Sequence, residues 1–145
     1  MKVVLGCDHG GLTLKGLLVG ELSAQGHLVE DCGTHGSESV DYPDYAKVVA
    51  SKVLDGQADR GVLICGTGQG MAMAANKIQG VRAAVVSDVF SAKMAMQHND
   101  ARILCLGERV IGQSLALEIV SAWLGSHFEG GRHQRRVDKI GGEGS

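Results

Sequence analysis

A cysteine stands where a short apolar run meets a glycine-rich turn. Residues 62–64 have the length and branching of a buried parallel strand, and Cys65 follows them directly. The turn over residues 66–70 contains three glycines, so several backbone N–H groups can face one point and hold an oxyanion. A helix beginning near Met71 adds its positive end there, and this field favours a thiolate. The alternative interpretation is a buried strand-end cysteine beside a tight turn.

A second group of residues that could bind a ligand lies near the C-terminus. Arg132 and Arg136 are four residues apart, so on a helix they share one face and can grip a single phosphate. The alternative is a solvated basic helix end, which the helix dipole also favours. The spacing alone leaves both interpretations open.

The elements that position these residues alternate between strand and helix. Predicted strands cover residues 3–5, 27–31, 62–64, 83–86 and 103–106. Predicted helices cover residues 12–26, 45–54, 71–76, 91–97 and 111–124, and the last has an apolar face at Leu115, Ile119, Val120 and Trp123. This alternation predicts an α/β fold: a single-domain, three-layer αβα, Rossmann-like arrangement with a five-stranded parallel sheet.

Several polar side chains directly follow predicted strands. Asp8 and His9 come after the first strand, and Cys65 and Thr67 come after the third. Right-handed crossovers place all carboxyl ends of parallel strands at one edge of the sheet, where such folds bind ligands. We therefore expect these residues to meet in space.

Composition narrows the class of protein. The chain has 145 residues, 44% hydrophobic and 21% charged, which is typical of one globular domain. We place that domain at residues 1–140 and expect the glycine-rich tail, residues 141–145, to be disordered. A net charge of −2 gives no reason to expect binding to nucleic acid or to an anionic membrane.

The sequence contains no motif that is typical of export, membrane insertion or cofactor binding. The N-terminal apolar run is far too short for a signal peptide, no segment approaches the ~18 apolar residues of a membrane span, and the four cysteines contain no C-x-x-C. We therefore expect a cytoplasmic protein with reduced thiols. The glycine-rich turn fits neither a Walker A loop nor a dinucleotide fingerprint, and the histidines show no paired metal-ligand spacing. No metal and no cofactor are expected.

Six short motifs together resemble one family of enzymes. They are GCDHGG at residues 6–11, DYP at 41–43, CGTGQG at 65–70, AANK at 74–77, QHND at 97–100 and GGRHQRR at 130–136. Over nearly its whole length the chain resembles the B-type ribose-5-phosphate isomerases, a family that includes allose-6-phosphate isomerase and galactose-6-phosphate isomerase subunits. Cys65 matches the catalytic cysteine, which indicates the cysteine branch of the family and not the glutamate branch.

The resemblance implies an aldose–ketose isomerase that interconverts ribose 5-phosphate and ribulose 5-phosphate through a cis-enediolate, without metal. It implies that Cys65 is the base, that Thr67 bonds near the thiol or substrate, and that His98, assisted by Asp8, opens the sugar ring. Backbone N–H groups would hold the enediolate oxygen, at Gly66, Gly68, Gln69 and Gly70. The remaining substrate-binding residues implied are His9, Arg132 and Arg136 for the phosphate, Asn99 for a hydroxyl, and Tyr42 and Arg109.

The resemblance also implies an oligomeric state, and it leaves the substrate open. Members of the family are dimers or dimer pairs, so we expect a homodimer or homotetramer whose sites lie at the subunit interface. The substrate within the class stays open between ribose 5-phosphate and a related sugar phosphate, such as allose 6-phosphate, a tetrose phosphate or the substrate of a galactose-6-phosphate isomerase subunit. A binding module without turnover is the other class considered, and the presence of Cys65 and His98 argues against it.

Overall fold

The strands are short and pair with parallel neighbours, and the three central ones are largely apolar and buried. In the computed structural model, which describes residues 1–141, five strands form one sheet in the order β2-β1-β3-β5-β4, with every neighbouring pair parallel. The strands are β1 Lys2–Cys7, β2 Leu28–Asp31, β3 Arg60–Cys65, β4 Ala83–Val85 and β5 Ile103–Gly107. The predicted five-stranded parallel sheet is confirmed.

Within residues 1–141, six α-helices connect or follow these strands, and a short 3-10 helix covers His9–Gly11. The α-helices are α1 Leu12–Ala24, α2 Tyr42–Leu54, α3 Gln69–Asn76, α4 Val89–Gln97, α5 Gln113–Leu124 and α6 Arg132–Ile140. Helix α2 begins three residues before the predicted start, because Pro43 fits the first helical turn, where its missing N–H leaves no bond unmade. Helix α5 begins two residues after its predicted start.

The predicted apolar face of α5 was wrong at one position. Leu115 is 37% exposed, whereas Ile119 and Trp123 are fully buried. The buried stripe of α5 runs through Ala116, Ile119, Val120, Trp123 and Leu124. Leu115 lies one position before this stripe, and a step of one residue turns a helix by about 100°.

Two hydrophobic cores enclose the sheet, one on each face. Helices α1, α4 and α5 pack on one face, against strand residues such as Leu5, Ile64 and Leu106. Helices α2 and α3 pack on the other face, against Val4, Leu63 and neighbouring residues. Successive strand residues alternate between the two cores, as the pleat requires. The three-layer αβα architecture is therefore confirmed.

The order of the strands creates a crevice at the carboxyl edge of the sheet. From β1 the chain moves outward to β2, then crosses back over β1 to form β3 on the other side. The segments that leave β1 and β3 therefore diverge, and this switch point is where open α/β sheets bind ligands. The turns after Cys7 and after Cys65 line the crevice.

Two further predictions concern the ends and the environment of the chain. The predicted glycine-rich tail starts at Gly141, the last described residue, and its other residues lie outside the described range. Within residues 1–141, no helix is long and apolar enough to cross a membrane.

Candidate active site

Cys65 is the last residue of β3 and lies at the crevice. Its side chain is 6% exposed and packs in the core between the sheet and helices α2 and α3. The Sγ atom accepts a hydrogen bond from the backbone N–H of Gly68, at 3.1 Å. The sulfur therefore faces a backbone donor at the start of α3, where the helix dipole also favours negative charge.

The glycine turn has this shape because Gly68 adopts a left-handed conformation. Its φ is +82°, and a Cβ added there would lie 3.1 Å from the carbonyl carbon of Leu106. Both observations require glycine at this position. The turn lets α3 begin at Gln69, two residues before the predicted start, and the N–H of Gln69 donates to Oγ1 of Thr67 at 3.3 Å. Thr67 is exposed and lies on this turn, two residues after the buried Cys65.

The turn after β1 packs directly on the turn after β3. The Oδ1 atom of Asp8 accepts the backbone N–H of Gly10 at 2.8 Å. A Cβ added at Gly10 would lie only 3.1 Å from the backbone nitrogen of Gly66, so the two turns touch through glycine. The Nδ1 atom of His9 accepts the N–H of Val40 at 3.2 Å, which assigns the ring proton to Nε2.

Two more predicted residues lie on these turns. The Tyr42 ring covers Gly70, since a Cβ added at Gly70 would lie 2.5 Å from Cε1 of the ring. The guanidinium of Arg109 lies over Gly66, where an added Cβ would be 3.5 Å from Nη1. We call this set the carboxyl-edge group: Asp8, His9, Tyr42, Cys65, Gly66, Thr67, Gly68, Gln69, Gly70 and Arg109.

The other predicted site residues lie at the opposite edge of the sheet. Helix α4 runs back from the carboxyl edge and ends at Gln97, and β5 then returns the chain over five residues, from Ile103 to Gly107. Gly107 is paired with Cys65, so the start of β5 lies about 13 Å along the strand from the level of the thiol. His98 and Asn99 therefore follow α4 at the amino edge.

The C-terminal helix joins His98 at this edge. The imidazole of His133 stacks on that of His98, with ring centroids 4.2 Å apart and an interplanar angle of 11°. Arg132 and Arg136 are exposed on the same helix, which confirms that they lie on a helix four residues apart. We call His98, Asn99, Arg132 and Arg136 the amino-edge group. A single chain does not bring this group to Cys65.

Burial raises the pKa values of three of the four cysteines, Cys7, Cys32 and Cys105. Desolvation raises the pKa of Cys7 to about 11, opposed in part by Lys15. Burial also raises the pKa of Cys105, and burial together with Glu30 raises that of Cys32. These three thiols are therefore protonated at neutral pH.

Glu129 and His133 lie beside His98 and were not predicted as site residues from the sequence. The Nε2 atom of His98 lies 3.4 Å from Oε1 of Glu129, and Nε2 of His133 lies 3.7 Å from the same oxygen. Burial and the neighbouring His98 lower the pKa of His133. The four-residue spacing of Glu129 and His133 was the only signal in the sequence, because their contact with His98 depends on how α6 docks.

The fold and the site together define a class of protein. It is an α/β protein in which a thiol at a switch point accepts a backbone N–H of a glycine-rich turn, and in which exposed arginines lie at the far edge of the sheet. The sequence pattern of the ribose/galactose isomerase family matches residues 3–140. The chain belongs to this family and is an isomerase of it.

Individual relatives agree with this assignment. The chain is 52% identical to ribose-5-phosphate isomerase B of Escherichia coli (strain K12), over 96% of this chain and 93% of that protein. It is similar to the solved structure of ribose-5-phosphate isomerase B from Clostridium thermocellum, with a TM-score of 0.96 and 55% identity, covering 97% and 95% of the two chains. A structure of the Mycoplasma genitalium enzyme with bound ribulose-5-phosphate matches with a TM-score of 0.91 and 45% identity, covering 96% of this chain and 93% of that one.

Proposed function

We propose that this protein interconverts ribose 5-phosphate and ribulose 5-phosphate through a cis-enediolate, with Cys65 as the base and without a metal ion. The observation that carries the proposal is the sulfur of Cys65, which accepts the N–H of Gly68 at the start of α3. The name of the Escherichia coli relative and the ligand in the Mycoplasma genitalium structure support the choice of substrate.

The proton transfer needs one base that serves both carbons. The Cys65 thiolate takes the proton from C2 of the open-chain aldose, so the C2–H bond breaks and an S–H bond forms. The electron pair of the C2–H bond forms a C1=C2 double bond, and the π pair of the C1=O1 carbonyl moves to O1, which gives the enediolate. The same S–H then returns its proton to C1, and the hydroxyl proton passes from O2 to O1. A single residue within reach of both carbons performs both transfers.

The turn around the thiol supplies the oxyanion site. Backbone N–H groups of residues 66–70 hold the developing negative charge on the enediolate, which is usually the largest electrostatic contribution to such a reaction. The Oγ1 of Thr67 already accepts the N–H of Gln69, which leaves its hydroxyl proton available to a substrate oxygen. Asp8 and Tyr42 border this site from the adjacent turn and helix.

In this proposal a second copy of the chain completes the site. His98 and the two arginines lie at the amino edge, about one strand length from the thiol of their own chain. A homodimer that apposes the carboxyl-edge group of one subunit to the amino-edge group of the other unites all the proposed functions. His98 then opens the furanose ring, Asn99 binds a hydroxyl, and Arg132 and Arg136 bind the phosphate together with His9.

A steady-state assay tests the proposed reaction. The purified protein is assayed in EDTA with ribose 5-phosphate, ribulose 5-phosphate, allose 6-phosphate, galactose 6-phosphate and a tetrose phosphate, with Cys65→Ser as the matched control. We expect the highest kcat/KM for the five-carbon pair and almost no turnover in the variant, because a hydroxyl is a far poorer base than a thiol. A higher kcat/KM for a six- or four-carbon substrate, loss of activity in EDTA, or an active Cys65→Ser protein would contradict the proposal.

A further inference from the structure

Three potential metal ligands converge at the amino edge of the sheet. His98, Glu129 and His133 each offer one ligand atom, and these atoms all lie within 4.8 Å of one another. The closest approaches are 3.4 Å from Nε2 of His98 to Oε1 of Glu129 and 3.7 Å from Nε2 of His133 to the same oxygen. Both imidazole nitrogens therefore face one carboxylate oxygen.

These distances match the edges of a small coordination polyhedron. Zinc bonds nitrogen and oxygen at about 2.0–2.2 Å, so two ligands of a tetrahedral ion lie about 3.3–3.6 Å apart. Two imidazoles and one carboxylate are also a known zinc ligand set that leaves the fourth position open. The rings are stacked at 11°, so binding of an ion requires a rotation about the soft Cβ–Cγ torsion that turns their lone pairs toward a shared point.

The backbone holds the three residues in place before any ion binds. The N–H of Glu129 donates to the carbonyl of Gln97 at 3.0 Å, which ties the segment before α6 to the end of α4. The N–H of His133 donates to the carbonyl of Gly130 at 3.0 Å, and the imidazole is 8% exposed.

We propose that His98, Glu129 and His133 bind a divalent transition-metal ion such as Zn²⁺, and that the bound ion inhibits the enzyme by occupying His98. Arg132 and Arg136 on the same helix oppose a cation, so the affinity is lower than that of a buried structural zinc site. The binding does not depend on the proposed function. The inhibition does, because it rests on the ring-opening role of His98.

The binding test uses Zn²⁺ and Co²⁺ as probes on the full chain in the Cys65→Ser background, which removes the thiol of the crevice as a competing ligand. Glu129→Gln and His133→Gln remove one ligand each, and His127→Gln, an exposed histidine outside the cluster, is the matched control. Calorimetry should give one Zn²⁺ per chain, with at least tenfold weaker binding in the first two variants and unchanged binding in the control. The visible absorption bands of Co²⁺ should follow the same order.

The experiments test the metal site and the inhibition separately. Equal affinity in all the variants, or no binding at millimolar Zn²⁺, overturns the metal site whatever the enzyme's activity. With the Cys65 enzyme, Zn²⁺ should inhibit ribose 5-phosphate turnover reversibly, and Glu129→Gln should require at least ten times more Zn²⁺ for the same inhibition. Binding at the cluster that leaves turnover unchanged supports the site, and it overturns both the inhibition and the role of His98.

Discussion

The backbone N–H of Gly68, the N-cap residue of α3, donates to the sulfur of Cys65 at 3.1 Å. This contact joins the residue that would move the proton to the turn that would hold the oxyanion. One glycine in a left-handed conformation therefore sets both the direction of the helix and the surroundings of the thiol.

The four cysteines should differ sharply in reactivity toward iodoacetamide. Burial raises the pKa of Cys7 to about 11 and also raises those of Cys32 and Cys105, so these thiols lack a reactive thiolate at neutral pH. Near pH 7 we expect Cys65 to be labelled first, in step with loss of activity, and substrate to slow the labelling. Cys7 should react only as the pH approaches 11. Peptide mass spectrometry measures the labelling of each cysteine. If labelling of Cys32, and not of Cys65, kept pace with inactivation, the prediction would be wrong.

Gly68→Ala should damage both stability and turnover. A side chain at φ +82° is strained, and its Cβ would press on the backbone of Leu106, so we expect a loss of about 1–3 kcal/mol in the free energy of unfolding. The shifted N–H should also lower kcat. Gly20→Ala is the matched control, because an added Cβ there meets nothing within 4 Å on α1, and alanine should stabilise that helix by about 0.5–1 kcal/mol. Urea denaturation and kcat are measured for both, and similar behaviour of the two variants would remove the special role of Gly68.

His98→Asn should impair the two directions of the reaction unequally. Ribose 5-phosphate is a furanose that must be opened, whereas ribulose 5-phosphate cannot form such a ring. We therefore expect kcat/KM to fall much more for ribose 5-phosphate than for ribulose 5-phosphate. Initial rates in both directions, corrected for the overall equilibrium, provide the measurement. Equal losses would show that His98 does not open the ring.

Arg132→Ala and Arg136→Ala should each raise KM about ten- to hundredfold, because a charge-assisted hydrogen bond contributes about 1.5–3 kcal/mol. A fall in kcat should accompany it, since phosphate binding also orients the reacting carbons. Arg135→Ala is the matched control, as an exposed arginine on the same helix outside the amino-edge group. Inhibition by inorganic phosphate should weaken in the first two variants only. Wild-type kinetics in all three would favour a merely solvated helix end.

Much of the fold was predictable because its signals are local. Apolar strands followed by glycine turns predicted the parallel sheet. Asp8 follows β1, as predicted, whereas Cys65 is the last residue of β3 and not the residue after it, because its backbone still pairs with Gly107 of β5. The four-residue spacing of Arg132 and Arg136 predicted their helix. The burial of Leu115 was predicted wrongly because it does not depend on local sequence. The elements packed against α5 decide which part of this largely apolar helix is buried.

The amino-edge contacts could not be predicted in the same way. Glu129 meets His98 because the backbone after α5 bonds to the end of α4, a tertiary contact between distant segments. The covering of Gly70 by Tyr42 likewise depends on the packing of α2 against α3. Residue types and spacing suggested which side chains take part in the chemistry and placed Asp8 and Cys65 at the carboxyl edge, but they did not show that the amino-edge group lies at the opposite edge.

The central claim is that Cys65 of one subunit works with the arginines of another, and mixed dimers test it most directly. Cys65→Ser protein is mixed with an Arg132→Ala Arg136→Ala double variant, each inactive alone, under conditions in which subunit exchange is confirmed by mass spectrometry. If the sites are shared, each heterodimer has one intact site, and a 1:1 mixture should regain about one quarter of wild-type activity. No recovery despite confirmed exchange would show that each site is built within one chain, and would contradict the account.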